Sequence, residues 1–319
     1  MKTIILIDGN SLMHRSYHGI NKGFIPMYEG MPIGMVYGFA STLLHTIEQL
    51  SPDGIFVTFD TKEKTFRHDM DENYKAQREK APDDFYPQIP YIFELLESFG
   101  IPALTSPGFE SDDIIGTISQ KAVQGGFDVK ILSNDHDFLQ LVNDHIKLVK
   151  FNGKSDHPLI YGRAETKTRY GVFPEQVVDF KALTGDSSDN YKGVEGIGPK
   201  NAALLLEKFG TIEGIFENID TLTPSLQSKL SSQKDYLNHC RELACIHTHT
   251  PVEYDLQQEF RFFPDRTLAF LEKFRFRALE VRYQKLIKKI AQQKNTDQKS
   301  DTKKDDTEEQ MSLFIMNNE

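Results

Sequence analysis

Short runs of apolar residues alternate with amphipathic segments from Met1 to about Thr184. The runs Ile4 to Ile7, Ile55 to Phe59 and Val129 to Leu132 are almost entirely apolar, a pattern typical of strands that are buried on both faces of a parallel sheet. Val36 to Leu50 and Gln88 to Phe99 have helical periodicity. The pattern predicts an α/β domain over residues 1–185 with a central parallel sheet.

The pattern changes after residue 186. No series of strands follows, and helical segments dominate to about Ala291, so we expect a smaller helical domain over residues 186–291. Its last part, Arg266 to Lys289, carries eight Lys or Arg against Glu272 and Glu280, a net charge of +6. Such a helix face is usually only solvated, but it is also suited to follow a phosphate backbone.

The last residues differ again in composition. Lys294 to Glu309 contains no apolar side chain and cannot bury enough surface to fold, so we expect a disordered tail over residues 292–319. An apolar cluster, Gln310 to Met316, follows it. Apolar residues at the end of a flexible tether indicate a partner.

Composition limits the function classes. The net charge of −10 argues by itself against a nucleic-acid partner. No apolar run is long enough to span a membrane and no signal peptide is visible, so we expect a soluble cytoplasmic protein. The two cysteines, Cys240 and Cys245, cannot make a disulfide framework. Three histidines lie nearby, but the paired C-x₂-C spacing of a zinc site is missing.

Carboxylates follow the apolar runs or begin predicted helices, in five short clusters. The nine residues are Asp8, Asp60, Glu110, Asp112, Asp113, Asp135, Asp137, Asp186 and Asp189. Because parallel strands place ligands at their carboxyl ends, we expect these acids to converge on one crevice. Like charges repel there, and carboxylate oxygens suit Mg²⁺ or Mn²⁺, with enough acids for two ions. Two ions about 4 Å apart catalyse phosphodiester hydrolysis, and bound cations remove the charge argument against nucleic acid.

Each acid also has a structural interpretation. Asp112 and Asp113 open a predicted helix that ends at Gln124, where acids cap free N–H groups. Asp186 and Asp189 are equally suited to a capping turn. A single acid would be structural more often than not, but five clusters at strand and helix ends favour the metal site.

Glycines precede the predicted helix from Pro199 to about Phe209. Gly196 and Gly198 form a tight turn that would aim free amide groups at an anion, and Lys200 supports this interpretation. The alternative is an ordinary helix-turn-helix.

A polar stretch from Lys62 to Pro87 follows the strand that precedes Asp60. Its cations, among them Arg67, alternate with Phe66, Tyr74, Phe85 and Tyr86. We expect the aromatic rings to stack on bases and the cations to contact phosphates. The net charge of Lys62 to Lys80 is only +1, but the position beside the crevice strengthens the prediction.

Together these motifs resemble the 5′ nuclease family, which includes the N-terminal nuclease domain of bacterial DNA polymerase I and its free-standing relatives. The resemblance covers about Thr3 to Ala291. It depends on Leu6 to Leu12, Phe66-Arg67-His68, Tyr74 to Arg78, Glu110 to Gly116, Leu183 to Asn190 and Gly196-Ile197-Gly198. It implies a PIN-like α/β core with an arch at about residues 62–87, followed by a helical domain with a helix-hairpin-helix-like motif.

The resemblance also implies residue roles. All nine acids would bind divalent metal directly or through water, and Lys75 and Arg78 would contact the scissile phosphate with Tyr74 beside them. The turn at Gly196 and Gly198 would hold duplex DNA, often with a monovalent cation such as K⁺.

Two departures from the family pattern are visible. Asn134-Asp135-His136-Asp137 replaces the usual Gly-Asp-Lys-Asp, and Tyr191-Lys192 replaces Ile-Pro. None of the acids is lost, so we expect an active enzyme.

The segment Gln310 to Phe314 is similar to the pentapeptide by which bacterial replication proteins dock on the sliding clamp. We expect Gln310, Leu313 and Phe314 to contact the clamp, because a tether raises the local concentration of the nuclease at DNA. The alternative is a random apolar tail.

The sequence thus predicts a Mg²⁺-dependent, structure-selective 5′-3′ exonuclease and flap endonuclease, monomeric and associated with the nucleoid. It would act on 5′ ends and flaps of DNA, and on RNA primers, in replication or repair. One alternative is a catalytically silent protein that binds DNA structures and recruits the clamp. Another is a small-molecule phosphohydrolase, in which the glycine turn and the tether have no purpose.

Overall fold

The structure is a computed structural model that describes residues 1–19, 25–151, 157–257 and 260–292. Residues 293–319 of the predicted disordered tail, with the predicted clamp contacts Gln310, Leu313 and Phe314, lie outside the described residues.

The strands are β1 (Thr3–Asp8), β2 (Met27–Tyr28), β3 (Met31–Pro32), β4 (Gly54–Thr58), β5 (Ala103–Leu104), β6 (Asp128–Leu132), β7 (Ile146–Lys150), β8 (Leu159–Tyr161), β9 (Gly185–Asp186) and β10 (Tyr191–Lys192). The α-helices are α1 (Gly9–Gly19), α2 (Gly34–Leu50), α3 (Phe66–Met70), α4 (Ile89–Phe99), α5 (Ser111–Gln124), α6 (Arg163–Tyr170), α7 (Val177–Thr184), α8 (Pro199–Phe209), α9 (Ile212–Glu217), α10 (Pro224–Ser232), α11 (Lys234–Ala244) and α12 (Pro264–Lys273). Residues 277–292 are also helical.

A six-stranded sheet with the order β5-β4-β1-β6-β7-β8 forms the centre of the molecule. Its strands pair in parallel except for β8, which runs antiparallel to β7 at one edge. The predicted α/β class with a parallel sheet is therefore confirmed. No helix among the described residues is both long and apolar enough to cross a membrane.

Both faces of the sheet are covered, which explains the continuous apolar runs. In β1, Ile4 and Leu6 pack with α5 and the helices that follow residue 177, whereas Ile5 and Ile7 pack with α2 and α4. Successive side chains of a strand point to opposite faces, so a strand between two helical layers is apolar at every position.

The chain from Pro264 onward differs from the predicted domain division. Leu271 and Tyr283 belong to the apolar cluster of α2 and α4, not to that of α7–α11. Apolar side chains repeat along this segment and fill the sheet face that the helical domain leaves open. Much of its predicted positive charge is also paired: Arg282 contacts Glu48 of α2, with Nε 3.0 Å from Oε1, and Lys273 contacts Glu94 of α4 at 2.6 Å.

A tight hairpin joins the sheet domain to the helical domain. Strands β9 and β10 pair Asp186 with Tyr191 and Gly185 with Lys192. A Cβ atom on Gly185, which has φ +75°, would lie 2.3 Å from the backbone nitrogen of Gly193. This close backbone approach requires glycine. The family departure Tyr191-Lys192 is thus accommodated as a strand, with the Tyr191 ring buried.

Candidate active site

Three acids lie just beyond adjacent strands of the sheet. Asp8 is the last residue of β1, Asp60 follows β4, and Asp135 follows β6. Since β4, β1 and β6 are neighbours, the structure places these three predicted site residues at one edge of the sheet.

Short hydrogen bonds link the ends of these elements. Asp8 accepts bonds from the Ser11 amide at 3.0 Å and from the Ser133 hydroxyl at 2.8 Å. The same Ser133 oxygen accepts a bond from the Asp135 amide at 3.0 Å, and the Ser111 amide donates to Asp60 at 2.8 Å. The strand ends and the first turn of α5 therefore form one connected cleft.

Electrostatic repulsion marks this cleft as a cation site. Burial raises the pKa of Asp8 to about 7, with the charges of Asp60 and Asp135 acting in the same direction. Burial and the charges of Asp135 and Asp8 also raise the pKa of Asp112 well above its usual range. Carboxylates crowded in this way are stabilised by a hard divalent cation. The donor set therefore fits Mg²⁺ or Mn²⁺.

A second group of acids lies beside the first. Carboxylate oxygens of Asp137, Asp186 and Asp189 come within 4.8 Å of one another. Burial and the charge of Asp135 raise the pKa of Asp137 to about 7. This group includes the hairpin acids of the domain junction, so the structure brings Asp186 and Asp189 to Asp137 of the core.

Lys181 of α7, which the sequence did not predict as a site residue, lies inside the second group. Its ammonium group is 2.5 Å from Asp186 and also contacts Asp137. Although burial acts in the opposite direction, Lys181 lowers the pKa of Asp186 to about 2. A lysine that precedes Asp186 by five residues gives no periodic signal, because the turn at Gly185 brings the two together.

The predicted arch passes over the cleft. Lys75 donates to Glu110 at 2.7 Å and lies 4.0 Å from Asp189, and Arg78 donates to Asp189 at 2.9 Å. The Tyr74 hydroxyl bonds Glu110 at 3.0 Å and Asp189 at 3.2 Å. The structure thus brings the three predicted arch residues to Asp189 of the second group, and two of them, Tyr74 and Lys75, also to Glu110.

The aromatic residues of the arch do not lie where base stacking requires them. Tyr74 and Phe85 are buried, and Phe66 packs against Phe109 with ring centroids 5.8 Å apart. Only Tyr86, among the four predicted rings, is exposed. The alternation of aromatic and basic residues reflects how the arch packs onto the core.

Arg67 and Asp113 also differ from their predicted places. Arg67 is only 2% exposed, and its guanidinium donates a hydrogen bond of 2.8 Å to each carboxylate oxygen of Asp113. Arg67 is therefore buried against Asp113, which is itself 0% exposed, and neither side chain lies at the surface. Adjacent residues on a helix point in directions roughly 100° apart, and the side chain of Asp113 points to Arg67.

The other family departure leaves the acids in place. His136 stacks edge-on against Tyr170, with ring centroids 5.1 Å apart, and burial together with the charges of Lys150 and Arg169 lowers the pKa of His136 to about 4. The Asn134 carbonyl accepts a bond from Lys150 at 2.6 Å.

The glycine turn precedes α8 as predicted. Gly198 is the N-cap residue and Pro199 the first helical residue. Gly196 has φ +81°, and a Cβ atom there would lie 2.3 Å from Lys229 Nζ. Gly196, Gly198 and Lys200 are exposed. The turn therefore presents its backbone to solvent, with a lysine ammonium group close by.

Comparison with known proteins agrees with this architecture. A family model described as the 5′-3′ exonuclease N-terminal resolvase-like domain matches residues 3–171, and one described as the 5′-3′ exonuclease C-terminal SAM fold matches residues 172–266. The thermostable DNA polymerase I of Thermus aquaticus is 37% identical over 276 residues, which cover 86% of this chain and 32% of the polymerase. The chain thus spans about a third of the length of this relative.

Solved structures share the fold. The D15 protein of bacteriophage T5, co-crystallised with metal ions, matches with a TM-score of 0.65 and 21% identity over 88% of this chain and 100% of that chain. A variant of the T5 D15 flap endonuclease in complex with DNA and metal ions has a TM-score of 0.65 and 20% identity over 90% of this chain and 98% of that chain. The family models together match residues 3–266, and the chain therefore belongs to the 5′-3′ exonuclease family.

Proposed function

We propose that this protein hydrolyses phosphodiester bonds at 5′ ends and flaps of DNA, with Mg²⁺ or Mn²⁺ as the cofactor. The observation that carries the proposal is the meeting of two groups of carboxylates under one basic arch. Asp8, Asp60, Asp112 and Asp135 form the first group, and the second contains Asp137, Asp186 and Asp189. Two groups of oxygen ligands suit two ions. The related T5 flap endonuclease structure contains both DNA and metal ions.

Divalent ions held by these acids would supply Lewis-acid chemistry and neutralise the phosphate charge. The protein side chains would bind and orient the DNA. Lys75 and Arg78 lie against acids of the site, and their ammonium and guanidinium groups would contact the scissile phosphate. Arg78 is the more accessible of the two, with its side chain 51% exposed.

Tyr74 would hold Glu110 beside Asp189 of the second group. Burial and the charges of Glu110 and Asp189 raise the pKa of Tyr74, so its hydroxyl stays protonated and donates hydrogen bonds to those acids. Lys181 would provide a fixed positive charge within the second group, where it contacts Asp137 and Asp186.

The helical domain would hold the duplex beyond the cleft. We assign this role to the exposed turn at Gly196 and Gly198, to Lys200, and to a K⁺ ion at the turn. Free amide groups at a helix N-terminus bind phosphate oxygens. In this division, residues 1–185 together with Asp186 and Asp189 carry the catalysis, and the helical domain carries the duplex contacts.

A cleavage assay tests the proposed activity. DNA duplexes with a 5′-labelled flap or a nick are incubated with the protein in Mg²⁺, Mn²⁺ or EDTA, and one arm carries an RNA 5′ segment. We expect metal-dependent release of short 5′ products from the wild type and none from Asp135→Asn. Metal-dependent binding without any release would instead indicate the silent DNA-binding protein, and the nuclease proposal would be wrong.

Docking on a sliding clamp remains a prediction from the sequence of residues 310–314. Its test is the affinity of the full chain for the clamp, compared with a chain that lacks residues 310–319. A chain in which Leu313 and Phe314 are both replaced by Ala is the matched control for tail length. Unchanged affinity in both variants would remove the clamp from the list of partners.

A further inference from the structure

Arg67 and Asp113 form a buried ion pair where three segments of the protein meet. Arg67 belongs to α3 at the base of the arch, and Asp113 lies in the first turn of α5. The third segment is residues 243–247, the end of α11 and the chain that follows it. Both side chains are almost completely excluded from solvent.

The hydrogen-bonding capacity of Arg67 is fully used. Its Nε donates to the Leu243 carbonyl at 3.0 Å, and its two terminal nitrogens donate to Asp113 at 2.8 Å each, to Glu110 at 3.3 Å and to the Cys245 carbonyl at 2.6 Å. A guanidinium has five N–H donors, and each has a partner here. Arg67 has no donor left for a phosphate.

Asp113 is equally saturated. Besides the two bonds from Arg67, it accepts bonds from the Glu110 amide at 3.1 Å and from the His247 amide at 2.8 Å. A carboxylate offers about four lone-pair sites, and these four bonds occupy them. Asp113 therefore joins the start of α5 to the chain after α11 and has no free oxygen for a metal ion.

The backbone of α5 lies very close to that chain. A Cβ atom on Gly116 would lie 2.6 Å from the Ile246 side chain and 3.2 Å from the His247 carbonyl. The absence of a side chain at Gly116 is what permits this approach. A small shift of residues 243–247 would therefore displace α5 instead of being absorbed by loose packing.

Glu110 connects the pair to the cleft. Glu110 accepts from Arg67 on one oxygen and from Lys75 on the other, and Asp112 is the residue next to Asp113. We infer that Arg67 and Asp113 are positioning residues: they fix the arch and the helical domain to the first turn of α5, so that Glu110 and Asp112 face the cleft. This inference rests on the proposed nuclease function.

Burial of an ion pair is costly, and well-packed apolar residues often stabilise a fold as well or better. A role in stability alone therefore does not require a charged pair at this position. A role in positioning does require a charged pair, because the two parallel hydrogen bonds between the Arg67 guanidinium and the Asp113 carboxylate fix the orientation of the two side chains as well as their distance. Geometric errors of about 1 Å at an active site lower rates by about 10²-fold.

The test compares Arg67→Met, Asp113→Asn and the double variant with the wild type, at a temperature where all are folded. We expect single-turnover cleavage of flap DNA at saturating Mg²⁺ to fall by about 10²-fold in both single variants, with no further loss in the double variant. We expect DNA affinity in EDTA to change less than about twofold, because neither residue contacts DNA.

A second readout does not depend on activity. Amide hydrogen exchange of the metal-free protein should be faster in residues 110–113 and 245–247 in both single variants. Arg67→Lys retains the charge but cannot reach Leu243, Cys245 and Asp113 together, so we expect it to fold and still to lose cleavage. It serves as the milder variant if Arg67→Met does not fold.

The matched control is Arg241→Met. Arg241, whose side chain is 36% exposed, pairs with buried Asp179 at 2.8 Å in the helical domain, and this pair includes none of the nine acids of the site. We expect this variant to lose stability but to retain its cleavage rate. If Arg241→Met loses as much cleavage activity as the Arg67 and Asp113 variants, the Arg67–Asp113 pair contributes only to stability and the inference is wrong.

Three other outcomes would overturn the inference. A loss of DNA affinity with a shallower salt dependence in Arg67→Met would make Arg67 a phosphate contact. A loss of Mn²⁺ affinity in Asp113→Asn but not in Arg67→Met would make Asp113 a metal ligand, and additive losses would show independent roles. If the wild type itself does not cleave, the proposed function fails, while hydrogen exchange and Mn²⁺ affinity still decide the role of the pair.

Discussion

The ammonium group of Lys181 lies 2.5 Å from the carboxylate of Asp186, where it also contacts Asp137. A protein cation therefore balances part of the negative charge that a second divalent ion would otherwise balance alone. Lys181 belongs to α7 and Asp186 to β9, so the contact also ties the core to the domain junction.

Lys181→Met should destabilise the metal-free protein. Removing the cation leaves Asp137 and Asp186 buried side by side, and the loss of one partner from a buried pair costs about 3 kcal/mol. Urea unfolding in EDTA measures this, and Mn²⁺ should restore part of the loss by replacing the missing charge. Lys167→Met is the control, because the surface contact of Lys167 with Glu207 spans 3.8 Å and should contribute less than about 1 kcal/mol. Equal losses in both variants would contradict the assignment of Lys181.

Lys75→Met should lower the cleavage rate by about 10²- to 10³-fold, because a buried cation aimed at a transition-state charge contributes that much. Arg78→Met should lower it less, because the side chain of Arg78 is half exposed and water partly screens its charge. Single-turnover rates on a 5′ flap substrate provide the measurement. Lys80→Met, an exposed change in the same arch, should leave the rate unchanged; a similar loss there would point to the net charge of the arch instead.

Divalent metal should stabilise the fold. Asp8 and Asp137 both have a pKa raised to about 7 by burial and by neighbouring carboxylates, and a bound cation relieves this repulsion. At a hundredfold excess of ion over its Kd the gain is about 2.7 kcal/mol. We expect Mn²⁺ to raise the Tm of the wild type and to have a much smaller effect on Asp112→Asn. An equal rise in Tm for both proteins would place the ion elsewhere.

The elements that position the cleft could be predicted because the local pattern determines them. An apolar run followed by an acid, as at Ile7 and Asp8, indicates both a buried strand and the carboxylate at its end. Two adjacent acids at the start of a helix, such as Asp112 and Asp113, do not reveal which of them belongs to the site. The pattern does not show that Asp112 faces the cleft while Asp113 faces residues 243–247, because this depends on where α5 packs.

Contacts between distant segments could not be predicted from the pattern. The partners of Arg67 include Leu243 and Cys245, more than 170 positions further along the chain, and no local periodicity connects them. The same is true of Arg282 and Glu48, whose contact places the last helical segment on the core. Arg67, Arg282 and Glu48 are charged, and charged residues are usually expected at the surface of a protein.

Gly196→Ala should weaken binding of duplex DNA without slowing cleavage at saturating DNA. The backbone of Gly196 has φ +81°, and an added Cβ atom would lie 2.3 Å from the Lys229 ammonium group, so this flexible side chain would have to swing away and its positive charge would leave the turn. The loss of one or two charge-assisted contacts corresponds to about a tenfold weaker affinity.

Gly126→Ala is the matched control, because Gly126 has φ +82° but nothing within 4 Å of the added Cβ atom. It carries the same backbone strain and should leave the affinity unchanged. Fluorescence anisotropy with a labelled nicked duplex in EDTA, at several salt concentrations, measures both, and equal affinities for the two variants would remove the turn from the duplex-binding surface.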